Sequence, residues 1–173
     1  IKNFGISIKP SKIYSPIETK HFQQNDTRWA NDKIGDTHYS LGGSGCLVCA
    51  IASTMNRLDV NIDPKSLNNK FNEKEVYNEY GEVIWYKISD AITGITYNYK
   101  RIFGNETIEN DLRQKKLPVV KVKYRKTGIY HWIVIIGSNE NDFLIIDSLS
   151  KENNPIELNT HGKVYAYRVL VKE

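Results

Sequence analysis

The residue best suited to covalent chemistry is Cys46, which stands at the start of a predicted helix. It follows a stretch of three glycines and two serines, Ser40 to Gly45. From Leu47 to Leu58 apolar residues recur at spacings of three and four, which predicts an amphipathic helix with Ser44 as its N-cap. A helix terminus contributes only about 0.3–1 kcal/mol to a nearby anion, and one pKa unit corresponds to about 1.36 kcal/mol. A nucleophilic thiol here therefore requires a cation as well, and histidine is the usual one.

A histidine and an aspartate stand at the outer ends of a predicted β-hairpin. His131 opens one apolar run and Asp147 follows the next, with a turn rich in glycine, asparagine and aspartate between them. Pairing Ile136 with Asp142 places His131 opposite Asp147, whereas pairing it with Phe143 places His131 opposite Ser148. A carboxylate in this position orients the imidazole and favours its protonated form. If Cys46 packs against this end of the hairpin, the three residues supply a nucleophile, a base and an orienting acid.

Other kinds of site compete for these residue types. Cys46 and Cys49 form a Cys-x-x-Cys pair that would suit a dithiol redox centre, but a glycine–serine loop rather than a strand precedes it. Cys49 is predicted to be a small buried apolar residue. The aspartates Asp26, Asp32 and Asp36 could bind calcium, yet they lack the ordered spacing of an EF-hand loop. Cysteine and histidine spacings typical of zinc sites are also missing, so we expect neither a metal nor an organic cofactor.

The remaining histidines are weaker candidates for the base. His38 is close to the glycine–serine loop in sequence, but it has no obvious acidic partner on a regular element. His21 and His161 are predicted to lie on the surface. His131 is therefore the preferred base.

Composition limits the classes of protein that the chain can belong to. Its 173 residues are 40% hydrophobic, which is enough for the core of one globular domain. The net charge of +4 is spread along the chain without a basic block, so we expect no nucleic-acid partner. No apolar run approaches the roughly 20 residues that span a bilayer. Because the chain starts at Ile1, we expect that an upstream segment was removed, and we predict a secreted or cell-wall-associated monomer.

The order of predicted elements indicates an α+β fold. Residues 1–20 are predicted to form an extended arm or linker, and residues 21–173 a single domain. After the Cys46 helix, further helices are predicted from Asp63-Pro64, over Ile84–Thr93 and over Thr107–Lys116. Strands are predicted over Tyr97–Phe103, Val119–Tyr124, His131–Ile136, Phe143–Ile146 and Val164–Val171. Helices precede most of the strands, which predicts a helical N-terminal part and a mostly antiparallel C-terminal sheet.

Four sequence features resemble one family of enzymes. They are the segment Gln24–Asp32, the Gly45-Cys46 helix start, His131-Trp132 opening an apolar strand, and Asp147 after the next strand. Together they are similar to the papain-like cysteine peptidases of the C39 type, which include domains that process double-glycine leader peptides. The resemblance implies a papain-like fold.

The resemblance also implies a role for each residue of the site. Cys46 would be the nucleophile, His131 the base and Asp147 the orienting acid, while the side chain of Gln24 and the backbone N–H of Cys46 would stabilise an oxyanion. The substrate would be a peptide or protein, including cell-wall peptides. Two alternatives stay open: a thiol enzyme that is not a protease, such as a peptidoglycan amidase or a deamidase, and a binding module whose chemistry has lapsed.

Overall fold

The computed structural model describes residues 4–151 and 154–173; residues 1–3 of the predicted arm and residues 152–153 of the predicted domain lie outside the described residues. Within the described part, five α-helices form: α1 (Leu41–Ser44), α2 (Cys46–Arg57), α3 (Pro64–Glu73), α4 (Ile88–Ala91) and α5 (Asn105–Arg113). Six strands form in the same part: β1 (Ile95–Tyr99), β2 (Pro118–Lys123), β3 (Tyr130–Ser138), β4 (Phe143–Ile146), β5 (Ile156–Glu157) and β6 (Val164–Lys172). None of these helices is both long and apolar enough to cross a membrane.

The strands make one antiparallel sheet in the order β1-β6-β2-β3-β4-β5. Helix α2 packs against β3 and lies between two apolar clusters. Its Ala50 joins the cluster that contains most of the buried sheet residues and the α5 residue Ile108, whereas its Ile51 joins the cluster that contains the α3 residues Leu67 and Phe71. The expected α+β architecture with an antiparallel sheet is therefore confirmed.

Helix α2 is more deeply buried than its amphipathic pattern suggests. Every residue from Val48 to Met55 is buried, including the polar residues Ser53 and Thr54. Thr54 satisfies its hydroxyl within the helix by donating to the carbonyl of Ile51 at 2.9 Å. Because a helix buried on all sides cannot move without disturbing the core, Cys46 at its start has a fixed position.

The predicted N-cap of α2 is wrong, because a short helix precedes it. Ser44 is the last residue of α1, and it is Ser40 that caps a helix, by accepting a hydrogen bond from the N–H of Gly43. Gly45 ends α1 and starts α2 without a side-chain cap. A Cβ atom on Gly45 would lie 2.5 Å from the carbonyl oxygen of Leu41, so glycine is required where the two helices join.

The β3–β4 hairpin does not have either of the expected registers. Val134 pairs with Ile146, whereas the expected registers paired it with residue 144 or 145. The difference is already present next to the turn, where Gly137 pairs with Leu144 rather than with residue 141 or 142, and a bulge at Ile136 then shifts the pairing by one residue. Strand β4 ends before Asp147, so this residue reaches His131 from the turn that follows the strand rather than from across the sheet.

Other elements differ from the prediction mainly at their ends. The side chain of Asp63 caps α3 and Pro64 is its first residue, as predicted. The predicted helix over Ile84–Thr93 consists of a 3₁₀ turn, Trp85–Lys87, followed directly by the single turn of α4. Strand β1 begins two residues before the predicted strand and ends at Tyr99, because the chain then bends towards α5.

The described part of the N-terminal arm lies against the sheet. Ile6 and Val164 exchange backbone hydrogen bonds of 2.8 and 2.9 Å, and the side chains of Ile8 and Ile17 are buried in the sheet cluster. Apolar contacts as well as backbone pairing therefore join the arm to the sheet. The division of the chain at residue 20 stays a prediction.

A substitution in β3 tests how tightly the arm is packed. A Cβ atom on Gly137 would lie 2.7 Å from the carbonyl oxygen of Tyr14 and 2.9 Å from Cα of Pro16. We expect Gly137→Ala to lower the free energy of unfolding by about 1–3 kcal/mol, measured by urea denaturation. Gly43→Ala is the control, because its Cβ would make an ordinary contact of 3.7 Å and it should not destabilise the fold. Equal losses in the two variants would contradict the close packing of the arm.

Candidate active site

The packing of α2 against β3 brings Cys46 and His131 together. Cys46 is the first residue of α2 and is half-buried, while His131 on β3 is only 4% exposed. The imidazole is close enough to Cys46 for the thiol to influence its pKa. Burial acts to lower the pKa of His131, but interactions with Asp147 and Cys46 outweigh it and raise the pKa to about 9. At neutral pH the ring is therefore the cation that a nucleophilic thiol requires.

Asp147 is a buried carboxylate whose oxygens all have partners. Oδ1 accepts hydrogen bonds from Nε2 of His131 at 2.7 Å and from the backbone N–H of Leu149 at 2.8 Å. Burial acts to raise the pKa of Asp147, but hydrogen bonds from His131 and His161 outweigh it and hold the pKa well below its ordinary value. The residue is therefore ionised, and its bond to Nε2 leaves Nδ1 of His131 as the ring nitrogen that can face Cys46.

His161 was predicted to lie on the surface, and this prediction is wrong. Its side chain is 2% exposed, and its Nε2 donates to Oδ2 of Asp147 at 2.7 Å. Its Nδ1 accepts a hydrogen bond of 3.3 Å from the backbone N–H of Arg125, which places the proton of a neutral ring on Nε2. The ring of Tyr124 packs against both histidines, with centroids 5.3 Å from each. His131 and His161 thus hold the two oxygens of one carboxylate.

His21 was also predicted to lie on the surface, but it belongs to the same region. It is partly buried, and its Nε2 lies 2.6 Å from the backbone carbonyl oxygen of Asp147. Neither His21 nor His161 stands in a periodic pattern of apolar residues. The sequence therefore contains no local signal that places them beside Asp147.

Gln24 is held next to this network by three hydrogen bonds. Its backbone N–H donates to the carbonyl of Ser148 at 3.0 Å, and its Oε1 accepts from the hydroxyl of Ser148 at 2.7 Å. Its Nε2 donates to the carbonyl of Gly42 in α1 at 3.0 Å. The loop that contains Gln24 is fixed by Trp29, whose indole N–H donates to the carbonyl of Gln23 at 2.9 Å. The structure thus joins Gln24 both to the turn after β4 and to the helix that precedes Cys46.

Comparison with known proteins assigns the chain to a family. A family model described as "Peptidase_C39 like family" matches residues 16–171. The protein belongs to this peptidase C39-like family. The C39-like chain is similar in fold to the crystal structure of a Bacillus anthracis protein assigned as a C39-like peptidase, with a TM-score of 0.61 over 94% of this chain and 99% of that one. The two are 11% identical in sequence, so this likeness concerns the fold alone. No curated protein matches the sequence.

The same part of the C39-like fold offers a set of potential metal ligands. One ligating atom each from His131, Asp147 and His161 lies within 4.8 Å of the others. Both histidines, however, already use Nε2 to donate to the carboxylate. This arrangement fits a hydrogen-bonded network better than a set of metal ligands, whose ring nitrogens must present a lone pair.

The residues that compete with this network for a functional role have different surroundings. Asp26 forms an ion pair of 2.7 Å with Arg28, and Asp32 forms one of 2.9 Å with Lys65. His38 is exposed and packs against the neighbouring Tyr39. Cys49 is a free thiol that is 1% exposed, which confirms its predicted burial. Burial raises the pKa of Cys49 far above its ordinary value, so it is protonated and a poor nucleophile.

The contact between Cys46 and His131 can be tested without a substrate. We expect the imidazole of His131 to titrate near pH 9 in the native protein and at lower pH in Cys46→Ala, because the interaction with Cys46 helps to raise the pKa. Chemical shifts of the ring protons, recorded by NMR over a range of pH, measure both values. Cys49→Ala should leave the titration unchanged. Identical titrations of native protein and Cys46→Ala would show that the two residues do not interact.

Proposed function

We propose that this C39-like protein is a cysteine peptidase that uses Cys46, His131 and Asp147 as its catalytic triad. The observation that supports this best is the position of His131 between two partners: it forms a hydrogen bond of 2.7 Å with Asp147, and the neighbouring Cys46 raises its pKa. His131 is protonated and Asp147 ionised at neutral pH, as the raised and lowered pKa values of these groups require. Family and fold agree with this chemistry.

In the proposed mechanism Cys46 and His131 act together in two steps, formation of a thioester and its hydrolysis. The sulfur of Cys46 attacks the carbonyl carbon of the scissile amide, and Nδ1 of His131 gives its proton to the nitrogen as the C–N bond breaks. Water then gives a proton to Nδ1, and its oxygen displaces the sulfur from the thioester. The products are a carboxylic acid and an amine, and the thiolate and imidazolium are restored. Asp147 holds the ring by its Nε2 in both steps.

Gln24 and the start of α2 are suited to stabilise the negative oxygen that forms in each step. The bond from Nε2 of Gln24 to Gly42 uses one of its two hydrogens, so the other is available to an oxyanion. The backbone N–H of Cys46, the first of α2, has no carbonyl partner one turn earlier in its own helix. Donors fixed in place before the reaction stabilise developing charge without reorganisation.

We also propose that His161 acts as a positioning residue. It does not contact the thiol, but it holds the second oxygen of Asp147 and thereby fixes the orientation of the carboxylate towards His131. A carboxylate that could rotate would hold the imidazole less firmly. Small displacements of catalytic groups are costly to the rate, so His161 should influence the turnover number rather than substrate binding.

Replacing each cysteine in turn tests the proposed nucleophile. We expect Cys46→Ala to abolish hydrolysis of a peptide library, read by mass spectrometry, while leaving the melting temperature nearly unchanged. Cys49→Ala is the matched control, because a buried, protonated thiol has no part in the mechanism and hydrolysis should persist. Full activity in Cys46→Ala would refute the assignment, and equal loss in both variants would favour a dithiol centre.

Hydrolysis of the peptide library, together with alkylation by iodoacetamide, separates the peptidase from the two competing functions. A thiol enzyme that is not a protease would leave the peptide library intact, yet iodoacetamide would alkylate Cys46 rapidly and with a rate that depends on His131. A binding module whose chemistry has lapsed would show neither hydrolysis nor rapid alkylation. Rapid alkylation together with cleavage that Cys46→Ala removes is the result that we expect.

Two substitutions of His161 test its positioning role. His161→Leu removes the donor to Asp147 and should lower kcat by about tenfold to a hundredfold, with little change in KM. His161→Gln can still donate through its amide and should restore much of the lost activity. The Nε2 proton of His131, observed by NMR, should exchange faster with solvent in the leucine variant only. Equal effects of leucine and glutamine on kcat and on this exchange would contradict the role.

A further inference from the structure

An open groove is lined both by Cys46 and by two basic side chains. Cys46, Trp85 and Trp132 line one part of it, and Lys121 and Arg168 line another. Lys121 on β2 stands opposite Trp132 on β3 and opposite Ala166 on β6. Since Arg168 is two residues beyond Ala166 on the same strand, all of these side chains share one face of the sheet. Lys121 and Arg168 therefore lie on the same face of the sheet as Trp132, which lines the groove together with Cys46.

Neither cation has an acidic partner among the residues that the structure describes. No carboxylate there forms an ion pair with Lys121 or Arg168, and Nε of Arg168 is a buried donor without a hydrogen bond. One other nitrogen of Arg168 donates to a backbone carbonyl at 2.8 Å. Glu82 also lines the groove: its Oε1 accepts from Asn78 at 3.2 Å, and its charge acts to raise the pKa of Lys121 without forming an ion pair. Two cations near one carboxylate leave an excess of partly buried positive charge, which is unfavourable and which an incoming anion would offset.

Aromatic rings hold the two cations in place. The guanidinium of Arg168 lies 4.2 Å from the ring centroid of Tyr99 and 5.3 Å from that of Trp85. Nζ of Lys121 lies 4.7 Å from the centroid of Tyr130. Burial and the charge of Arg168 lower the pKa of Lys121, and burial lowers the pKa of Arg168, as expected for two like charges held close together in partial burial. The rings restrict the side chains, so a ligand would meet a site that is already formed.

We propose that Lys121 and Arg168 form a subsite that binds the carboxylate side chain of an aspartate or glutamate in the peptide substrate. This inference rests on the proposed peptidase function and adds a substrate class to it. A side chain is a better occupant than a chain terminus, because Lys121 and Arg168 also line a second hollow, together with Lys100 and Arg101, on which the peptide could extend.

Paired peptides test this subsite in the active enzyme. Each pair differs only by glutamate or glutamine at one position, all termini are blocked, and every position around the scissile bond is varied. At one position we expect kcat/KM to favour glutamate by at least about tenfold, as for charged hydrogen bonds. In Lys121→Gln this ratio should fall towards one. Lys123→Gln is the matched control, because Lys123 is an exposed residue of the same strand outside the groove, and the ratio should persist.

Charge reversal gives a sharper result that does not depend on total activity. Lys121→Glu should shift the preference at the same position from glutamate towards lysine, while Lys123→Glu should not. Arg168→Gln should also lower the ratio, and its melting temperature reports whether loss of the aromatic contacts has disturbed the fold. No glutamate preference at any position, or a preference unchanged in both Lys121 variants, would overturn the subsite and leave the peptidase proposal intact.

A binding experiment keeps the two proposals separate if no peptide is cleaved. Fluorescence anisotropy of labelled glutamate and glutamine peptides with Cys46→Ala protein measures recognition without catalysis. Tighter binding of the glutamate peptide that Lys121→Gln removes would support the subsite while the peptidase function fails. Equal binding of the two peptides, when neither is cleaved, would overturn the subsite as well.

Discussion

The arrangement of the site depends on one buried negative charge, the carboxylate of Asp147. A buried carboxylate is unfavourable unless its oxygens accept enough hydrogen bonds, and here they accept from two imidazoles and one backbone N–H. His131 comes from β3 and His161 from the segment before β6, while His21 contacts the backbone of the same residue from the N-terminal loop. Satisfying this charge therefore orders two separate segments around the turn after β4, and the contact of His21 with the backbone adds a third.

The proposed nucleophile, Cys46, is positioned by apolar packing rather than by charge. Helix α2 is buried from Val48 to Met55 between the sheet and the α3 cluster, so its first residue cannot move independently of the core. Gly45 allows α1 to approach closely, and α1 in turn supplies the carbonyl of Gly42 that holds the side chain of Gln24. A core of this density places Cys46 against His131 without a cap on α2 or any acidic group in its first turn.

The parts that could be predicted from sequence are those with local signals. The helix after Cys46 has a clear period, the strands next to His131 and Asp147 are apolar runs bounded by turn residues, and the fold class follows from the order of these elements. The hairpin register was not predictable, because it is set by the pairing next to the turn, Ser138 with Phe143, which nothing in the two apolar runs specifies. His161 was missed for a similar reason, since it reaches Asp147 through the packing of distant loops. In this protein, tertiary contacts rather than periodicity determine the surroundings of the carboxylate.

Strand β3 carries residues of both the proposed triad and the groove of the proposed subsite, because its side chains alternate between the two faces of the sheet. Successive residues of a strand point to opposite faces, so His131 can enter the buried network while Trp132 faces the groove beside Lys121. A shift of β3 by one residue would exchange these two side chains and destroy both features at once. The proposed subsite and the proposed triad therefore share one structural constraint, the register between β2 and β3, in which Val122 pairs with His131. Substrate preference can change through residues of β2 and β6 while the position of the imidazole stays the same.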